Sequence, residues 1–130
     1  IKQRQVQQKN IKNGECCVTF INHSTVLIQI DGKNILTDPI WSKRASPFSW
    51  IGPKRVILPG VKFEDLPPID IVLVSHNHYD HMDIPTLKRL YKEHKPLFLV
   101  SKGNQSYLKS KGIKRGVKDL DWWDQVDLDI

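Results

Sequence analysis

The sequence holds only two cysteines, and they are adjacent, Cys16-Cys17. Neighbouring strand residues point to opposite faces, which disfavours a disulfide between them. Neither belongs to a C-x-x-C pair, so a cysteine zinc site is excluded and free, buried or half-buried thiols in a reducing compartment are expected. No apolar run reaches the ~20 residues of a membrane-spanning helix, and no hydrophobic signal segment opens the chain. The expected location is the cytoplasm or the periphery of a membrane. Basic residues outnumber acidic ones, 20 to 14, for a net charge of +6. They are scattered, most of them over residues 1–14, 42–62, 88–95 and 102–118, with no Arg/Lys run interleaved with aromatics. Nucleic acid is therefore not favoured as a partner. A solvated basic surface with weak attraction to phosphate-bearing ligands is the expectation. No internal repeat is visible.

What is present reads as one soluble α/β domain. A hydrophobic content of 39% over 130 residues is ordinary for a globular chain and sufficient for one core. Residues 1–14 are Gln/Lys-rich without apolar periodicity and read as a tail or linker, so the domain spans 15–130. Cys17–Ile21, Thr25–Ile30 and Lys33–Thr37 are β-branched stretches, with Asp31-Gly32 as the two-residue turn between the last two. Six prolines and two glycines punctuate residues 38–68 and exclude a long helix or central strand there. Trp41, Phe48, Trp50 and Phe63 make that stretch an ordered loop, either a wall beside a site or a cover for the core edge. Ile69–Ser75 and Leu97–Val100 are near-continuous apolar runs, the pattern of strands buried on both faces. Between them Asp83 can cap a helix with Pro85 in its first turn, buried through Ile84, Leu87, Leu90 and Tyr91. Asn104–Lys111 should form a second helix ended by Gly112, with Ile113 as its apolar contact. Gly116–Asp119 and Gln125–Asp129 read as further strand segments. Strand–helix alternation after residue 69 predicts helices laid on a sheet face.

The chemistry concentrates in His76-Asn77-His78-Tyr79-Asp80-His81, which holds three of the five histidines. It directly follows the apolar run 69–75, at a strand end, where sheet-based sites commonly lie. His76 and His78 are spaced i, i+2 and leave an extended backbone on one side. Imidazole with carboxylate suits zinc and similar first-row divalent ions. Asp80 and His81 can approach from another direction and serve a second ion. An ion held by imidazoles lowers the pKa of bound water to about 7. Asp80 could orient such a water for attack, which makes it the candidate catalytic residue. Tyr79 is expected to pack rather than act as an acid. Of the remaining histidines, His23 lies in a turn that could reach the site. His94 falls at a helix end, as a solvated or dipole-facing group. For Trp122-Trp123, packing in the core or at a sheet edge is favoured over substrate contact.

His76-Asn77-His78-Tyr79-Asp80-His81 resembles the HxHxDH signature of the metallo-β-lactamase superfamily. Asn22–Ile28, Leu36–Trp41, Gly52-Pro53-Lys54-Arg55 and Asp121-Trp122-Trp123-Asp124 are similar to the branch of N-acylphosphatidylethanolamine-hydrolysing phospholipase D and its bacterial relatives. The resemblance implies an αββα sandwich, of which this chain is the N-terminal half: a mixed sheet with helices on one face. It implies two zinc ions per complete site, with manganese or iron as alternatives. His76 and His78 would hold one ion, and Asp80 and His81 the other. A third histidine, a bridging aspartate and a final histidine would come from beyond Ile130. Asp38 matches an aspartate supporting the metal loop, and His23 a histidine beside the pocket. The implied activity is phosphodiester hydrolysis of a phospholipid-like or other small-molecule substrate, consistent with peripheral membrane contact. A lactonase or nuclease of the same superfamily is the alternative. So is an inactive fragment that only binds metal. A half-sandwich leaves an apolar sheet face uncovered, so this chain is expected to pair with the other half or to self-associate, and to be inactive alone.

Overall fold

A six-stranded sheet whose strands lie side by side in chain order organises the chain, as seen in a computed structural model that describes residues 14–42, 59–78 and 82–128. β1 (Cys16–Asn22), β2 (Thr25–Ile30) and β3 (Lys33–Thr37) form the expected antiparallel meander. Asp31 and Gly32 close the second hairpin with φ of 47° and 74°, the paired left-handed residues that a tight hairpin turn requires. β4 (Ile71–Val74), β5 (Leu97–Ser101) and β6 (Val117–Leu120) then add in parallel, each beside its predecessor. The crossovers carry α1 (Ile84–Glu93) and α2 (Asn104–Ser110). Right-handed connections stepping one way across a sheet place both helices on the same face. Leu87, Leu90 and Leu108 from those helices share one core with Leu27, Leu36, Val72 and Phe98. This is the mixed sheet with helices on one face that the sequence predicts.

Local chemistry sets the helix ends. Asp83 caps α1, and Pro85 sits in its first turn, where its missing N–H costs nothing. At the end of α2, Gly112 takes φ of 96°. Its N–H donates to the Lys109 carbonyl at 3.1 Å, and that of Ile113 to the Leu108 carbonyl at 3.0 Å. This pair of bonds closes a helix through a left-handed residue, and the buried Ile113 and Leu108 are its apolar clasp.

The opposite sheet face departs from the expectation of two-sided burial. Val72, Phe98 and Val100 face the helices and are buried, whereas Leu73, Leu97 and Leu99 are only half-buried. Val18 and Phe20 on the same open face are 63% and 68% exposed. This face is only partly covered, since Ile71 on it is 4% exposed while its neighbours stay half-open, although the strands are apolar on both sides. Two smaller corrections follow. Residues 125–128 are irregular rather than a strand, with Asp129 outside the described residues. Cys16 is exposed rather than buried, and Cys17 is half-buried; both are free.

The described ends of the proline-rich loop cover the core edge. Trp41 meets Phe63 edge to face at 5.6 Å, and its indole N–H donates to the Val61 carbonyl at 3.0 Å. Gly60 donates to the Ile21 carbonyl at 2.7 Å, close enough that an added Cβ would stand 3.3 Å from that oxygen. Phe48 and Trp50 lie outside the described residues.

His94 is not the solvated, dipole-facing group expected. Its Nδ1 accepts from the Ile69 N–H at 3.1 Å, and its ring meets Phe63 at 5.8 Å. Burial lowers its pKa from the ordinary 6.5, against an opposing pull from Glu93. The unfolded chain therefore takes up the proton first. Stability is full above the unfolded value and is lost as pH falls through the folded one. His94→Asn keeps an acceptor near the Nδ1 position without titrating there. Urea unfolding between about pH 7 and 5 should give a flatter stability profile for this variant than for the wild type. Equal slopes would show that His94 does not titrate with folding.

Candidate metal centre

The parallel strands all end on one edge, and the histidine motif leaves from the C-terminal end of β4 on that edge. His76 and His78 come out on one side, their rings edge to face with centroids 4.8 Å apart. Two imidazoles this close can share one divalent ion, each through a nitrogen about 2 Å from it. The donor set fits a borderline metal such as zinc or iron(II) rather than an oxygen-seeking calcium. Asp80 and His81, expected to serve the second ion, lie outside the described residues, as does Tyr79. Among the described residues no group of three His, Cys, Asp or Glu side chains is arranged to hold a metal.

Asp38 stands directly beside this motif. It follows β3, is 6% exposed, and is held with φ of 36°. Its own N–H donates to the Leu73 carbonyl at 2.8 Å, which carries the β3–β4 pairing past the end of β3. One carboxylate oxygen accepts from the Ser75 N–H at 2.7 Å and the other from the Ser75 hydroxyl at 2.8 Å. Ser75 Oγ in turn lies 2.9 Å from His76 Nδ1. A buried carboxylate thus grips the residue that precedes the first histidine. Thr25 Oγ1 ties the other side of this corner, donating to the Asp38 carbonyl at 2.7 Å. His23 sits in the β1–β2 turn with φ of 46°, at the same edge of the sheet.

A second carboxylate anchors the far side of the motif. Asp83 is buried and accepts from the Ser42 N–H at 2.9 Å, the Ser42 hydroxyl at 2.6 Å and the Thr86 hydroxyl at 2.7 Å. Longer bonds of 3.2 Å and 3.5 Å come from the Trp41 and Thr86 amides. Two buried carboxylates thus fix the chain on either side of the motif, Asp38 at Ser75 before it and Asp83 at the start of α1 after it. Sequence reasoning found Asp83 only as a helix cap and missed Ser75 altogether. The available signal for Ser75 was a hydroxyl immediately before a histidine ligand candidate, at a strand end facing a conformationally special aspartate.

Trp122 and Trp123 follow β6 onto the same edge and are 88% and 95% exposed. The expected packing is not observed. A closed turn holds them outward: Asp124 N–H donates to the Asp121 carbonyl, and Asp121 N–H donates to the Asp124 carboxylate. Trp123 adopts φ of 68° within it. The Trp122 N–H, and then Lys102, hold the Asp121 carboxyl below its ordinary pKa. Between β4 and β6 a shallow depression of ≈ 450 Å³ is lined by Asp38, Leu73, Ser75, Leu99, Ser101 and Leu120.

An α/β domain that presents paired imidazoles at the C-terminal edge of its parallel strands, steadied by a buried carboxylate, belongs to the class of α/β proteins whose sites lie at strand ends. Comparison with known proteins narrows the class. Residues 33–130 match the family described as the beta-lactamase superfamily domain, and the chain belongs to that superfamily. It is 40% identical over 124 residues to an uncharacterized protein of Mycobacterium tuberculosis, with 92% of this chain and 33% of that protein covered. It is 39% identical over 109 residues to the N-acyl-phosphatidylethanolamine-hydrolyzing phospholipase D 1 of Caenorhabditis elegans, covering 80% of this chain and 31% of that one. Among solved structures, the diiron β-hydroxylase CmlA from Streptomyces venezuelae superposes with a TM-score of 0.65 at 27% identity, over 89% of this chain and 22% of that one. The chain thus spans about a third of the curated relatives it matches. The fold is that of the N-terminal part of the superfamily domain, as the resemblance implied. No helix among the described residues is long and apolar enough to cross a membrane.

Proposed function

We propose that this chain is the metal-binding N-terminal part of a hydrolase that cleaves phosphodiesters of the phospholipase D type, with N-acylphosphatidylethanolamine-like lipids as substrates. The 39% identity to the nematode enzyme of that name carries this reading. The strand-end motif supplies its chemistry. His76 and His78 would hold one ion, and Asp80 and His81 the second, with zinc as the metal and two ions in a complete site. Such ions supply Lewis acidity toward water and phosphoryl oxygens. The chain's own residues position that chemistry. Asp38 and Ser75 fix the first histidine, and Asp83 fixes the exit of the motif. Asp80 would accept a proton-bearing oxygen's hydrogen bond and orient it toward phosphorus. Trp122 and Trp123, exposed after β6 at the same edge of the sheet, offer apolar surface suited to a lipid chain at a membrane periphery. The open sheet face carrying Val18 and Phe20 would receive the rest of the sandwich, from which the remaining ligands would come.

The test is metal analysis of the whole protein together with phosphodiesterase and lactonase assays. Two zinc ions per chain with release of phosphatidic acid from the lipid are expected. Iron content with no phosphodiester cleavage would overturn the reading and favour chemistry nearer to that of the structural relative. Lactone cleavage with no action on the lipid would keep the hydrolase and discard the substrate.

A further inference from the structure

The net charge is unevenly placed along the chain. Between Lys88 and Lys118 ten residues are lysine or arginine and one, Glu93, is acidic. The fold gathers part of this excess round a hollow at the N-terminal edge of the parallel strands, opposite the histidine motif. Its volume is ≈ 470 Å³, and it is lined by Tyr91, Lys92, Lys95, Pro96, Arg115 and Gly116. We propose that this hollow is a second ligand site that takes a phosphate monoester. Its phosphate would meet Lys92, Lys95 and Arg115, and its organic body would lie on Tyr91 and Pro96. None of these residues belongs to the metal edge, so the site stands whatever chemistry that edge performs.

Three segments build the site. α1 ends at Glu93, and the N–H groups of His94 and Lys95 both donate to the Leu90 carbonyl, at 2.8 Å and 3.1 Å. Lys95 takes φ of 50° to close that turn, a left-handed position that glycine fills more easily than any side chain. The loop before β6 is joined to the one before β5. The Phe98 N–H donates to the Gly116 carbonyl at 2.6 Å, and a Cβ on Gly116 would stand 3.1 Å from the Pro96 carbonyl oxygen. Lys95 and Arg115 are thus brought to one opening by backbone that is already fixed. The half-buried Tyr91 ring rests on Phe98, with centroids 6.4 Å apart. Lysines at a helix C-terminus also favour the helix dipole, which accounts for Lys92. It accounts neither for Arg115, from another segment, nor for a lysine standing where glycine is easier. The α1 C-terminus opposes an anion with about half a charge, and three cations outweigh it. Carboxylates do not neutralise the group: Arg89 holds Glu93 at 2.7 Å, and among the described residues no ion pair reaches Lys92, Lys95 or Arg115. Like charges round a hollow repel, and a dianion relieves that repulsion. The arginine fork can pair with two phosphate oxygens, while lysines add point charge. A floor of tyrosine and proline favours an organic body over bare phosphate.

The test is equilibrium titration of the whole protein with phenyl phosphate, inorganic phosphate and benzoate. Phenyl phosphate should bind more tightly than either, since inorganic phosphate lacks the ring and benzoate carries one charge. Arg115→Gln should weaken phenyl phosphate binding about 10-fold, the loss expected for a charge-assisted contact. Lys95→Gly should weaken it and at the same time raise the urea midpoint, because glycine relieves the left-handed position. A lysine with a merely structural role would show no loss of affinity. His78→Ala should leave the affinity unchanged, which separates this site from phosphate held at the metal edge. Sedimentation with phosphatidylcholine vesicles, with and without phosphatidic acid, identifies the source of the phosphate. Arg115-dependent binding to the phosphatidic acid vesicles makes it a lipid headgroup, and phenyl phosphate binding without it makes the ligand a soluble ester. Equal affinities for the three anions overturn the proposal, as does affinity unmoved by Arg115→Gln and Lys95→Gly, or lost in His78→Ala. An oligonucleotide held more tightly than phenyl phosphate by the same residues would also overturn it and make this face a nucleic-acid surface.

Discussion

Asp83→Ala should lower the unfolding free energy by about 3–4 kcal/mol, because burying an unsatisfied donor costs about 1–3 kcal/mol and this change strands several at once. Three short bonds lose their acceptor, from the Ser42 amide, the Ser42 hydroxyl and the Thr86 hydroxyl. Loss of the α1 cap contributes to the same total, typically about 1 kcal/mol. The terms are not additive, since water can reach the half-buried Ser42 once the carboxylate is gone. Asp83→Asn retains one acceptor oxygen and should lose about half as much. Urea unfolding measures both; the midpoint should fall with an unchanged slope if the native fold survives. A loss below about 1 kcal/mol for the alanine variant would mean that water replaces the carboxylate and that the anchor is not structural. The consequence reaches the site, because Asp83 joins the Trp41–Ser42 segment to the start of α1 and so sets where the motif ends.

The second large effect is on metal. His78→Ala removes one of the two imidazoles whose rings lie 4.8 Å apart. It should weaken zinc binding by more than the roughly 10–100-fold that supporting partners of a ligand cost. In the whole protein, metal stoichiometry and phosphodiester cleavage should be lost together. The control is His94→Asn, since His94 caps α1 and accepts from Ile69 away from the motif. It should alter the pH profile of stability and leave metal binding intact. Phosphodiesterase activity that survives His78→Ala would remove the proposed mechanism, and zinc binding that survives it would move the site elsewhere.

These expectations draw on features of unequal visibility in the sequence. The hairpin at Asp31-Gly32, the Asp83 cap with Pro85, and the closure of α2 at Gly112 were all legible, because each depends on residues a few positions apart. The i, i+2 pairing of His76 and His78 was legible for the same reason. The Asp38–Ser75–His76 series was not, because it joins the end of β3 to the end of β4 across 37 positions. Only the parallel pairing of those strands brings the three groups together. His94 was misread for a related reason. Its partner, the Ile69 amide, lies 25 residues upstream, and its environment is made by Phe63 from another segment.

The exposure of Trp122 and Trp123 marks a different boundary. Composition predicts that large aromatics are buried, and apolar runs such as 71–74 and 97–100 predict strands covered on both sides. Both rules assume that every layer of the fold is present, and the described chain has one helical layer and one sheet. The sequence by itself determined most of the strand and helix segments, their caps and turns, and the superfamily, because periodicity, turn chemistry and motif spacing are local properties of the chain. The tertiary structure alone decided which sheet face is open, that Asp83 anchors a loop as well as a helix, and that a buried carboxylate reaches His76 through Ser75. Those are contacts between residues tens of positions apart, and they exist only once the strands have paired.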